Sequence, residues 1–73
     1  MRNIRYLIKG DYSTEQLAED LRVQLDINRQ NNVRITPVKN RNEVIVQVPE
    51  ASGSLEEIVG SFMQDYHSGV ILE

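Results

Sequence analysis

The chain has 73 residues, with eight Lys and Arg against eleven Asp and Glu, and no cysteine. A chain this short forms one small domain near the lower limit for folding on an apolar core alone. Without cysteine it has neither disulfides nor thiolates for zinc, iron–sulfur or nucleophilic chemistry. Its apolar periodicity argues against disorder, and its net charge of −3 opposes phosphate binding by the molecule as a whole.

The N-terminal run Met1 to Tyr6 lacks the long apolar core of a signal peptide, and no segment approaches the roughly 18–20 apolar residues of a membrane span. The expectation is a soluble, cytoplasmic single domain over residues 1–73, with no membrane partner. Leu72-Glu73 has the form of a cloning-site and tag junction and is given no functional weight.

The first strand is expected over Ile4–Lys9, with Ile4, Tyr6 and Ile8 on one face and Arg5, Leu7 and Lys9 on the other. Gly10-Asp11 ends it. Ser13 reads as a helix N-cap, Gln16 as its capping-box partner, and Tyr12 with Leu17 as a hydrophobic staple. Leu17, Leu21 and Leu25 give that helix an apolar stripe, with Ala18 and Val23 or Ile27 beside it, and it runs to about Ile27. Asn28 to Asn32 is a polar stop.

A second strand follows over Val33–Val38. Pro37 donates no ladder hydrogen bond, so this strand belongs at a sheet edge. Lys39 to Asn42 forms the turn of a hairpin with Glu43–Val48, the strongest strand pattern in the chain. After a loop from Pro49 to Gly53, Ser54 reads as the cap of a second helix, with Glu57 as its partner. Leu55, Ile58, Val59, Phe62, Met63 and Tyr66 complete a stripe at helical spacing. Gly69 is read as the glycine just past its end, and Val70–Leu72 as a short last strand.

The order βαββα(β), with right-handed crossovers, gives an antiparallel sheet of order 4-1-3-2 with both helices on one face. The fold class is therefore α+β, a ferredoxin-like plait. In element order and length the chain resembles heavy-metal-associated domains and amino-acid-sensing regulatory domains. The metal domains carry a Cys-x-x-Cys pair at the first strand–helix junction. Here that junction reads Gly10-Asp-Tyr-Ser-Thr-Glu-Gln16, which removes copper-type carriage.

All eight basic residues lie in residues 1–41, against five acids; residues 42–73 hold six acids and no base. Such asymmetry between halves points to an electrostatically selected partner. In a plait it becomes lateral. Arg2, Arg5, Lys9, Arg34, Lys39 and Arg41 fall on the first two strands and the hairpin turn. Glu50, Glu56, Glu57 and Asp65 fall on the second helix and its edge. The sheet face away from the helices is expected to hold Arg5, Leu7, Lys9, Arg34, Thr36, Ile45, Gln47 and Ile71, a mixture of apolar and cationic groups.

The expected function is a small non-catalytic binding or regulatory protein acting by protein–protein contact, through self-association as a homodimer or docking on a larger partner. Its surface is the open sheet face and the second-strand edge, with Arg5, Leu7, Lys9, Arg34 and Ile45 at its centre and Lys39 and Arg41 beside them. If the charge asymmetry drives self-association, salt weakens it. Nucleic-acid binding through the same basic residues ranks lower, because RNA-binding plaits stack bases on aromatic side chains and the third strand has none. A third reading is a small-anion or ligand sensor at Gly10, Asp11, Ser13 and Thr14, where the first helix exposes its amides. An enzyme ranks last. His67, the only histidine, reads as a cation at the end of the second helix, and Glu56 and Glu57 are adjacent first-turn acids that point apart. No metal or cofactor is implied.

Overall fold

The computed structural model describes residues 2–30, 32–49 and 53–72. The expectations for Glu50 and Glu73, and parts of the two expected loops, lie outside the described residues. The elements run β1 Arg2–Ile8, α1 Thr14–Ile27, β2 Arg34–Val38, a short 3-10 turn Lys39–Arg41, β3 Glu43–Val48, α2 Gly53–Met63 and β4 His67–Leu72. The four strands form one sheet in the order β2-β3-β1-β4, with antiparallel neighbours throughout. The class is α+β.

Period-two alternation builds the sheet's inner face. Ile4 and Tyr6 of β1 stand opposite Val46 and Val44 of β3, and Ile35 of β2 stands opposite Val46. These residues, with Ile8 and Val48, form one buried cluster with Leu17, Ala18, Leu21 and Leu25 of α1 and Leu55, Val59 and Met63 of α2. Both helices therefore cover the same face of the sheet. Each fully buried aliphatic side chain contributes roughly 1.5–3 kcal/mol, so this single cluster carries the fold.

The start of α1 follows the sequence signal only in part. The Gln16 amide donates to Ser13 Oγ at 3.3 Å, so the cap forms. The Gln16 side chain turns the other way and donates to Asp20 Oδ1 at 2.9 Å, so the reciprocal half of the capping box is not made. At the other end, Arg29 N donates to Asp26 O at 3.0 Å and Gln30 N to Leu25 O at 2.8 Å. This is the Schellman pattern, with Arg29 in the left-handed position at φ 60° where glycine is usual.

Four expectations at the C-terminal end are corrected. Helix α2 already begins at Gly53, so Ser54 lies inside its first turn rather than capping it. The helix stops at Met63, and Tyr66 lies in the following turn, donating its amide to Met63 O at 3.0 Å. His67 opens β4 rather than closing α2, and Gly69 is a strand residue without positive φ. At the last three points the ladder with β1 wins. Backbone groups of residues 67–72 pair with β1, from Ile4↔Leu72 to Ile8↔His67, with a register shift between Leu7 and Ile8. That pairing satisfies more donors and acceptors than one further helical turn.

The hairpin turn is tied to β1. Asn42 is left-handed at φ 55°, a conformation that asparagine tolerates better than most residues. Its side-chain amide donates to Ile8 O at 2.6 Å, and Ile8 N donates to Asn42 O at 2.9 Å. Lys9 N donates to Tyr66 O at 2.9 Å, and the Tyr66 ring meets Tyr12 edge-on at 4.9 Å and Phe62 at 5.6 Å. Tyr12 thus meets an aromatic partner from beyond α2.

Candidate functional site: the open sheet face and the β4 edge

On the face away from the helices, Arg5 stands opposite Ile45 on one side and Ile71 on the other, and Thr36 lies beyond Ile45. Leu7 stands between Glu43 and Gly69. The structure therefore brings Arg5, Leu7 and Ile45 together as expected. It also adds Glu43, which the sequence reading left off this face. Glu43 shares the parity of Ile45 and Gln47 along β3, and that parity is the signal that finds it.

Glu43 changes the electrostatics of the face. Arg5 Nη1 lies 2.8 Å from Glu43 Oε1, and both side chains are mostly covered, 20% and 12% exposed. The central cation is thus neutralised on the face itself. The other nominated cations do not gather around it. Lys9 is exposed past the end of β1, and Arg34 is exposed on β2 opposite Gln47. Lys39 and Arg41 are exposed in the 3-10 turn, with Lys39 Nζ 3.7 Å from Glu15.

At the first strand–helix junction Gly10, Asp11 and Ser13 are exposed, whereas Thr14 is buried. Ser13 Oγ is already an acceptor for the Gln16 amide. Gly10 has no positive φ, and a side chain there would meet nothing within 4 Å. Among the described residues no group of three or more His, Asp or Glu side chains is arranged to hold a metal ion. No helix of the described residues is long and apolar enough to cross a membrane.

The two edges of the sheet differ. The β2 edge carries Pro37 and Arg34 and leads into Lys39 and Arg41. Proline and cations are common guards against strand addition. The β4 edge has neither. From His67 to Leu72 there is no Lys, Arg, Asp, Glu or Pro, and Val70, Ile71 and Leu72 are 47%, 44% and 63% exposed. Ile71 faces the open side beside Arg5, while Val70 faces the helix side beside Tyr6.

Under α2, beside β4, runs a groove of about 280 Å³, lined by Tyr6, Gly60, His67 and Val70, with the Arg2–Glu56 ion pair (2.8 Å) at its rim. Gly60 sits inside the helix, and an added Cβ there would meet nothing within 4 Å. The His67 ring lies 5.2 Å from that of Tyr6, and its buried Nδ1 has no hydrogen-bond partner among the described residues. Burial, reinforced by the nearby Glu56 carboxylate, pushes the Tyr6 phenol above its ordinary value, so it stays protonated and a donor. Sequence reasoning missed this groove because no side chain marks it; a glycine inside an amphipathic helix is the trace it leaves.

No protein-family model matches this chain, and neither a curated protein nor a solved structure shows significant similarity to it.

Proposed function

We propose that this chain is a ferredoxin-like plait serving as a small non-catalytic binding protein, and that it acts by protein–protein contact through strand addition at β4, with a second copy of itself as the first partner. One observation carries the reading: Val70 and Ile71 stand exposed side by side on an edge strand that has no Lys, Arg, Asp, Glu or Pro. An exposed apolar edge is a template for pairing with another strand. A strand without formal charge pairs with its own copy without like-charge repulsion. On the open face Leu7 stands beside Gly69, while the Arg5–Glu43 ion pair separates Ile71 from Ile45.

Nucleic acid is the weaker reading, because Glu43 neutralises Arg5 and Tyr6 faces the helices. The sensor reading at Gly10 to Thr14 weakens too, since the Ser13 oxygen is occupied by its own helix. The test is solution mass by light scattering across concentration. Mass rising toward two copies supports the proposal, and a single-copy mass at every concentration overturns self-association.

A further inference from the structure

The β4 strand alternates sizes in a way that suits only one self-pairing. On the open side it presents Gly69 and then Ile71; on the helix side it presents Val70 next to the groove under Gly60. Gly69 leaves a gap beside Leu7, where an added Cβ would meet only Leu7 Cδ1 at an ordinary 3.5 Å. Gly60 leaves a second gap, and nothing in the chain's own packing requires a glycine there. Glycine inside a helix costs roughly 1 kcal/mol relative to alanine.

We propose that two copies pair antiparallel through β4 with Val70 on the twofold axis. Ile71 of each copy then lies over Gly69 of the other, large against small, twice. Val70 of each copy closes the outer side of the other's groove beneath Gly60. An axis perpendicular to the sheet keeps helix-side residues on the helix side in both copies, so β1, α2 and β4, which line the groove, face the same side in each copy. Moving the axis to Ile71 takes Ile71 off Gly69 and sets it against its own mate, so the large-against-small match is lost. Among the described residues, the charged pair at the rim of the groove is already matched within one copy, since Arg2 holds Glu56 at 2.8 Å. Glu57 lies on the far side of α2, in a cleft shared with Gln24 and Asn28 of α1.

This inference rests on β4 being the associating edge, and its test separates the two. The chain has no cysteine, so a single introduced cysteine reports its own symmetry mate. Residues directly opposite in an antiparallel pair have Cα atoms about 4.5–5.5 Å apart, within disulfide range. Residues two positions off the axis partner lie beyond about 7 Å, where no bridge forms without backbone movement. Val70→Cys is expected to oxidise to a covalent dimer at least about ten-fold faster than Ile71→Cys. Gly60→Leu is expected to weaken association about ten-fold or more (about 1.4 kcal/mol) while unfolding no earlier than wild type. Faster cross-linking of Ile71→Cys, or unchanged association in Gly60→Leu, overturns this register and leaves self-association standing. No cross-link in either variant, with wild type at single-copy mass throughout, overturns both.

Discussion

Arg5 and Glu43 form an ion pair at 2.8 Å across the open face of the sheet, diagonal to the direct pairings Arg5↔Ile45 and Leu7↔Glu43. Arg5 reaches along the strands rather than outward, which places a neutral unit where a lone cation is expected. Replacing the Glu43 carboxylate takes a charge-assisted hydrogen bond from the mostly covered Arg5 guanidinium. Glu43→Gln is therefore expected to lower stability by about 1–3 kcal/mol. The double variant Arg5→Met with Glu43→Leu is expected within about 1 kcal/mol of wild type, because well-packed apolar pairs replace covered ion pairs at little net cost. Urea unfolding of the three proteins measures both, and a double variant less stable than Glu43→Gln contradicts the pairing.

Tyr6 sets an alkaline limit. Burial and then Glu56 raise its pKa above the ordinary 10.0. Below that ordinary value the phenol is protonated folded and unfolded, so its contribution is constant. As pH rises past 10.0 the unfolded chain loses the proton first, and stability falls until the folded pKa is reached. The melting temperatures of wild type and Tyr6→Phe are expected to keep a fixed offset from pH 7 to about 9.5 and to converge above about 10. Parallel curves to pH 11.5 contradict the assignment.

Arg29 holds a left-handed φ of 60° at the Schellman position after α1. A side chain there costs about 1–2 kcal/mol that glycine avoids, partly offset by the greater freedom glycine gives the unfolded chain. Arg29→Gly is expected to raise stability by about 0.5–1 kcal/mol. Loss of stability on calorimetry contradicts this account of the helix end.

The β4 edge predicts an unusual salt response. A contact made by electrostatic asymmetry weakens with salt, whereas one made by Val70 and Ile71 holds or tightens, because no ionised group lies between them. Association is expected to be no weaker in 1 M than in about 0.05 M sodium chloride, a range over which the screening length falls from above 10 Å to about 3 Å. Ile71→Glu is expected to abolish association with stability within about 1 kcal/mol of wild type, since the new carboxylate stands opposite Arg5 in its own chain but would lose its water over Gly69 of the other copy. Dissociation by salt alone returns the role to the charged rim of Arg34, Lys39 and Arg41.

How much of this was legible depends on where the determining contacts lie. The β3 limits, Glu43–Val48, and α1 from the Ser13 cap to Ile27 match the pattern reading, because alternation, spacing and one side-chain cap are local. The edge position of Pro37 was legible for the same reason, a missing donor. The end of α2 was not. Gly69 resembles a helix terminator until β1 is in place to pair with residues 67–72. Arg29 was missed because the left-handed site is made by carbonyls at Leu25 and Asp26, which any residue presents. At the candidate site, parity placed Arg5, Leu7 and Ile45 correctly. The diagonal reach of Arg5 to Glu43 depends on strand register, which one strand alone does not specify.

Pro37 has a consequence for stoichiometry. When a second copy adds at β4, both outer borders of the enlarged sheet are β2, each lacking a donor at Pro37 and bearing Arg34. Growth has nowhere to continue. On the proposed pairing, the asymmetry between one bare border and one guarded border would make the assembly self-terminating, and raising concentration is expected to fill pairs without seeding fibres.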